Sequence, residues 1–306
     1  MGSGRFDAKD WATYASASSI RSKSTREIFT ARKIDPDLNP RGVVVRESRD
    51  SVDNPQSTPV IIAQDVTGSM GMISTVMAKE GVPALLTEIY DRKPIHDPHV
   101  MCMAIGDVES DSAPLQVTQF EADMRIQSQL EKFFLEGGGG GNSYESYALA
   151  WYFAAYHTIT DSFEKRGKKG YLFTIGDEEP TGQLTKSAIK EFLGTAPQTD
   201  VNMEDLLNEV SKKWEVFHII VQEGSYARGN PGRVRNAWTE LLGQRAIPLS
   251  DHTKLAEVIV STMEVVEGKD VDSVAKSWDG STSLVVANAV KDLAKLSKTS
   301  TDIVTL

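Results

Sequence analysis

Short, nearly continuous apolar runs alternate along this chain with longer stretches of helical periodicity. Thr58-Pro59-Val60-Ile61-Ile62-Ala63-Gln64, His99 to Ile105, Gly170 to Ile175 and Trp214 to Val221 each place apolar residues at successive positions. A strand covered on both faces reads in this way, because both sides of its pleat meet a core. Ala246-Ile247-Pro248-Leu249 is a shorter run of the same kind. Leu115 to Phe120 instead alternates apolar and polar, which predicts an antiparallel edge strand hairpinned to the run that ends at Ile105. Helical stretches are expected at about 70–91, 122–135, 144–160, 183–213 with a break near Pro197, 231–242, 252–265 and 281–296. Strands alternating with helices imply an α/β fold. The expected form is a Rossmann-like, doubly wound, mostly parallel sheet with one antiparallel edge strand and helices on both faces. Such sheets bind ligands at the carboxyl ends of their strands.

The pattern changes at residue 58. Residues 1–57 are polar and turn-rich, with Asp35-Pro36, Asn39-Pro40 and Asn54-Pro55 resisting helix. Their one apolar run is Gly42-Val43-Val44-Val45. This reads as an N-terminal extension that wraps the domain and adds an edge strand. Its basic stretch from Arg21 to Lys33 is a docking surface or, more simply, a solvated face. The expected organisation is an extension at 1–57, the α/β domain at 58–265 and a helical extension at 266–306.

Composition narrows the function classes. A net charge of −10 and a pI near 5.1 argue against a general nucleic-acid binder, which needs a basic face to replace counterions on phosphates. The lone cysteine, Cys102, allows no intrachain disulfide and lies within an apolar run. It reads as a small buried hydrophobe in a reducing compartment. No stretch approaches the ~20 apolar residues of a membrane span. The N-terminus lacks the apolar core of a signal peptide, so a cytoplasmic location is expected. His96, His99, His157, His218 and His252 are too scattered for a zinc cluster. The tryptophans read as packing residues, with Trp11 a possible anchor for the extension.

Three loops carry the candidate chemistry. Asp65-Val66-Thr67-Gly68-Ser69 follows the first buried run and places a carboxylate and two hydroxyls at alternating positions. Hard oxygen donors converging at a strand end suit Mg²⁺ or Mn²⁺. The helix expected from about Met70 would aim its N-terminal dipole at the same place. The plainer alternative makes Thr67 or Ser69 an N-cap of that helix. The second loop, Gly137 to Gly141, is followed by Asn142-Ser143-Tyr144-Glu145-Ser146. It lacks the Gly-Lys-Ser/Thr ending of a phosphate-binding loop, and is either a linker or a close backbone approach followed by oxygen donors. The third, Gly176-Asp177-Glu178-Glu179-Pro180, sets a carboxylate at another strand end, or else starts a helix with acidic residues.

Taken together, these loops resemble von Willebrand factor A domains. Asp65-Val66-Thr67-Gly68-Ser69 is similar to the Asp-x-Ser/Thr-x-Ser signature of that family's metal-ion-dependent adhesion site. The family draws its site from three loops in this chain order, with a Thr after glycines in the second and an Asp after a strand in the third. Ser143 best matches that Thr by helix register, Asn142 is next to it, and Asp177 matches the Asp. The polar hairpin from Gly106 to Phe120 is also similar to the family's edge hairpin. The resemblance covers about 58–265, roughly two thirds of the chain. The departure is the missing Thr, with Glu145 at the expected helix start. A glycine-rich loop followed by Glu resembles a bacterial and phage-type subgroup, in which Glu145 is a carboxylate neighbour of the site.

The resemblance implies a binding module and no enzyme. Asp65, Thr67, Ser69, Asp177, Asn142, Ser143 and Glu145 are its candidate metal residues. Mg²⁺ is the expected ion, with Mn²⁺ next and Ca²⁺ less suited, and an Asp or Glu of a partner protein fills the open position. Intracellular bacterial and phage members often work beside a MoxR-type AAA+ ATPase. Two other readings stand beside this one. The chain could be a structural phage or virion component with a degenerate site. It could also be a phosphatase of the haloacid dehalogenase type, which needs a second acid two residues after its strand-end Asp, where Thr67 stands here. A dinucleotide-binding enzyme fits less well, because a single glycine follows the first strand where Gly-x-Gly-x-x-Gly is required.

Overall fold

The computed structural model describes residues 4–71, 73–138 and 144–293. A six-stranded sheet forms its centre: β1 (Thr58–Asp65), β2 (Pro98–Ile105), β3 (Leu115–Val117), β4 (Gly170–Gly176), β5 (Trp214–Val221) and β6 (Ala246–Leu249). Their spatial order is β6-β5-β4-β1-β2-β3. All neighbours pair parallel except β2 and β3, which pair antiparallel as the alternating pattern predicts. The chain runs outward from β1 to β2 and β3, then returns to β4 on the other side. The topological switch point therefore lies between β1 and β4.

The continuous apolar runs are explained by two cores. Val60 and Ile62 of β1 face one core, and Ile61 and Ala63 face the other. The first core holds α1 (Ala8–Ser18), α2 (Val82–Arg92), α7 (Leu255–Val266), α8 (Val271–Lys276) and α9 (Gly280–Val290). The second holds α3 (Tyr147–Tyr156), α4 (Lys186–Leu193), α5 (Met203–Val210) and α6 (Pro231–Leu242). Residues Tyr147 to Ala155 of α3 are all buried, so this helix is apolar all round. Local chemistry sets the helix starts: the Thr185, Asn202 and Asp270 side chains accept from the backbone N–H groups of Ala188, Asp205 and Ser273. Gly194, at φ +80°, ends α4 in the left-handed region.

Several expected elements are shorter or interrupted. The helical stretch after β1 starts at Ile73 and widens into a π turn over Met77–Gly81 before α2. Pro83 has no N–H to give to the carbonyl four residues back, and a widened turn accommodates that loss. The expected helix at 144–160 is trimmed at both ends by short strands. Tyr144–Glu145 pairs with Glu179–Pro180, and the β-branched Thr158–Thr160 pairs with Arg46–Ser48. The edge strand expected at Val43–Val45 is therefore displaced to Arg46–Ser48, outside the main sheet, and Val44 is 85% exposed. The helix expected at 122–135 is confined to Arg125–Leu130.

The N-terminal residues are tied to both the sheet edge and the first core. Leu38 O accepts from Val117 N at 2.8 Å, covering part of the exposed edge of β3. Trp11 is buried and stacks on Tyr14, whose hydroxyl donates to Glu131. Cys102 is buried on β2, where burial pushes its thiol up, so it packs as a hydrophobe. No helix among the described residues is long and apolar enough to cross a membrane. Trp11→Ala is expected to lower unfolding stability by about 3 kcal/mol, read from urea-induced unfolding. A loss below about 0.5 kcal/mol would show that the extension does not share the core.

Candidate metal centre

The switch point brings together the first and third loops. Asp65 is the last residue of β1, and Asp177 follows β4 directly. Both are fully buried. Asp65 Oδ1 accepts from Thr67 N at 2.8 Å and from Thr67 Oγ1 at 2.6 Å. Ser69 Oγ donates to Asp177 Oδ1 at 2.6 Å. The two hydroxyl oxygens stand 3.2 Å apart. Asp65, Thr67, Ser69 and Asp177 therefore form one continuous chain of side chains, in which the predicted residues meet across 108 positions of sequence.

Neither hydroxyl serves as the N-cap that the plainer reading allows. Each commits its proton to an aspartate, and helix begins only at Ile73. The expected dipole of a helix starting at Met70 is accordingly set back by a turn. With their protons committed, the hydroxyls have lone pairs to present to a cation. Their separation also suits one: two adjacent ligands of an octahedral Mg²⁺, each ~2.1 Å from the ion, lie about 3 Å apart. Thr67 is buried, Ser69 half-buried and Gly68 exposed, so the first loop meets solvent at Gly68 and Ser69.

The surroundings hold both aspartates in place. Tyr147, at the start of α3, donates its hydroxyl to Asp65 Oδ2 at 3.1 Å. Tyr226 N donates to Asp177 Oδ2 at 2.8 Å. Two glycines make this possible: a Cβ at Gly176 would collide with the Tyr147 hydroxyl, and one at Gly224 with the Asp177 side chain. Ser225 N donates to Ser69 O at 3.2 Å, which joins the first loop to the segment after β5.

The second loop is described in part. Gly138 O accepts from Gly68 N at 2.8 Å, so the start of the glycine run lies against the first loop. Asn142 and Ser143 lie outside the described residues. Glu145 does not open a helix. It sits in the short strand Tyr144–Glu145, fully buried, with no hydrogen-bond partner for either carboxylate oxygen among the described residues.

Buried acid dominates the electrostatics. Burial pushes the Asp65 carboxyl up to about 7, with a further push from the charge of Asp177, against the opposing hydrogen bonds from Thr67 and Tyr147. Glu145 is pushed up to about 10 by burial and then by the charges of Asp65 and Glu178. Glu178 is pushed up to about 8 by burial and then by Asp65 and Asp177. Asp107 and Asp111 stand close enough to add to the rise at Glu145. Sequence reasoning missed Tyr147, Glu178, Asp107 and Asp111 as members of this environment. Glu178 was legible as part of an acidic loop; Tyr147 read only as one apolar residue of a helix.

The histidines stay out of the centre. His218 is buried and stacks on Trp238, and His99 and His157 bond Ser48 and the Val43 carbonyl. Among the described residues, His252 does join Glu223 and Asp251 in a group with ligand atoms within 4.8 Å of one another. Hydrogen bonds inside the group account for it: His252 pairs with Glu223, and Asp251 caps Thr253.

No protein-family description matches the chain, and no curated protein is significantly similar to it. Solved structures similar to it include the pilus adhesin SpaC of Lactobacillus rhamnosus GG in its open conformation, at 9% identity and a TM-score of 0.44, over 76% of this chain and 31% of that one. A von Willebrand factor type A protein from Catenulispora acidiphila is similar at 15% identity and a TM-score of 0.35, over 71% of this chain and 44% of that one. The pilus adhesin RrgA of Streptococcus pneumoniae gives 8% and 0.34, over 70% and 44%. This chain thus spans less than half the length of each. The centre described above stands on this chain's own residues.

The raised carboxyls set a pH dependence. A carboxyl raised on folding keeps its proton in the folded chain after the unfolded chain has lost it. Between the ordinary 3.8 of Asp65 and about 7, the folded state binds more protons, so stability falls as pH rises through that window. Glu178 extends the fall to about 8. Ion-paired carboxylates act in the opposite sense but lower on the scale, as with Asp50, held at about 2. In EDTA the thermal midpoint is expected to fall between about pH 5 and pH 8, and Asp65→Asn to flatten part of that fall. A wild-type midpoint that rises across the window would contradict this.

Proposed function

We propose that this chain is a protein-binding module that holds Mg²⁺ at the Asp65–Thr67–Ser69–Asp177 centre and uses it to engage a carboxylate of a partner protein. The observation that carries the proposal is the pair of hydroxyl oxygens, 3.2 Å apart, each donating its proton to a buried aspartate. Thr67 and Ser69 would face the ion. Asp65 and Asp177 would hold the hydroxyls and supply the compensating charge, with Glu145 as a carboxylate neighbour. Neutral hydroxyl ligands leave the metal electron-poor, so an acidic side chain from outside is a favourable additional ligand. Mn²⁺ would serve in the same place, and Ca²⁺, with its larger shell, would fit less well.

Binding fits this arrangement better than phosphate chemistry. The position two residues after Asp65 is Thr67, whose hydroxyl is bonded to Asp65 and cannot protonate a leaving group as an acid would. A recess of about 410 Å³ lined by Val108, Tyr144, Thr181, Leu184 and Phe192 among others would offer further surface to a partner. The partner class that the resemblance implies is an AAA+ ATPase of the MoxR type inside the cell. The buried Cys102 thiol is compatible with a reducing interior.

The test compares thermal unfolding of the wild type and Asp65→Ala in EDTA and in Mg²⁺, followed by partner capture in the same two buffers. Saturation at 100 times the dissociation constant stabilises the folded state by ~2.7 kcal/mol. The expected result is an upward shift with Mg²⁺ that Asp65→Ala reduces, and capture that needs both Mg²⁺ and Asp65. Mg²⁺-dependent hydrolysis of a phosphate ester, abolished by Asp65→Ala, would replace the binding reading with an enzymatic one.

A further inference from the structure

Strand pairing brings Glu145 beside the segment that carries Glu178. Glu145 is registered opposite Pro180, and Glu178 lies two residues before Pro180. Glu178 sits in the bend just before that strand, close enough for its charge to act on Glu145. Tyr144 and Glu179, the other registered pair, are satisfied. Tyr144 bonds Glu109, and Glu179 accepts from Tyr226 at 2.7 Å and pairs with Arg233 at 2.6 Å. Among the described residues, Glu145 and Glu178 have nothing comparable. Glu145 is fully buried and Glu178 is 7% exposed. Among the described residues, both oxygens of Glu145 and Oε2 of Glu178 have no hydrogen-bond partner.

Charge is also left unbalanced. Among the described residues, no Lys, Arg or His forms an ion pair with Asp65, Asp111, Glu145, Asp177 or Glu178, though ion pairs are plentiful elsewhere on the chain. Buried carboxylates persist only when paired, protonated or bound to a metal. A single divalent ion at Thr67 and Ser69 would offset Asp65 and Asp177 and leave the glutamates uncompensated.

We propose that Glu145 and Glu178 hold a second hard divalent cation beside the first; the charge count rests on the metal reading of the Asp65 centre. Two carboxylates do not complete a coordination shell, so water supplies the remaining ligands, as is usual for Mg²⁺ and tolerated by Ca²⁺. Asp107 and Asp111, near enough to act on Glu145, form the outer acidic wall. The second ion ties the segment after β4 to the segment before α3. It thereby fixes the floor next to the partner-binding face.

The experiment counts ions on the full chain. Equilibrium dialysis against Mn²⁺, with bound metal measured by atomic absorption, is run on the wild type, Glu178→Gln, Glu145→Gln and Asp65→Ala. Two Mn²⁺ per wild-type chain are expected, and one for each glutamine variant. Asp65→Ala should also keep one, held by the glutamates. One Mn²⁺ in the wild type, unchanged in Glu178→Gln and lost in Asp65→Ala, would overturn the second site while leaving the first intact; the glutamates would then hold protons. No Mn²⁺ in the wild type would overturn both. Should circular dichroism show that one glutamine variant is unfolded, the other variant and the wild-type count decide.

Discussion

Two buried aspartates at the centre of the sheet set the terms for everything around them. Asp65 and Asp177 lie at the ends of adjacent parallel strands, β1 and β4, with hydroxyls and backbone N–H groups as hydrogen-bond donors and no cationic side chain paired with them among the described residues. Burying charge this way is unfavourable unless something positive arrives or a proton stays. The raised carboxyls of Asp65, Glu145 and Glu178 show the second solution. The hydroxyl pair, with Ser69 half-buried and Thr67 buried, is built for the first.

The scaffold explains how such a cluster is tolerated. A doubly wound sheet leaves a crevice where its strand order reverses, and here that crevice separates β1 from β4. Cores on both faces anchor the strands over most of their length, so their ends can carry unfavourable groups. Tyr147 belongs to both worlds: its ring packs edge-on against Trp238 and His218 in the second core, and its hydroxyl holds Asp65. The same core residue therefore links helix packing to the geometry of the centre.

The strands that build the sheet were legible because burial on both faces leaves an unbroken apolar run, and β1, β2, β4 and β5 lie where those runs fall. That Asp65, Thr67, Ser69 and Asp177 meet was legible because their loops follow strands of one doubly wound sheet and so converge on its carboxyl edge. Short elements were not. Tyr144–Glu145 and Thr158–Thr160 pair with segments more than thirty or a hundred positions away, and no local period announces such pairing. For the same reason Glu145 was expected at a helix start. Glu178 was visible as an acid, but that it is buried while Glu179 is half-buried depends on how the bend after β4 is folded, which no local pattern announces. Asn142 and Ser143, drawn from the second loop, lie outside the described residues.

The most direct measurement is a crystal grown with Mn²⁺ and its anomalous difference map. The account predicts a peak bridging the first and third loops, within ~2.0–2.2 Å of the Thr67 and Ser69 hydroxyl oxygens. A map without a peak there at millimolar Mn²⁺, with Ser69 still bonded to Asp177, would contradict it. The buried aspartates would then be a purely structural pair.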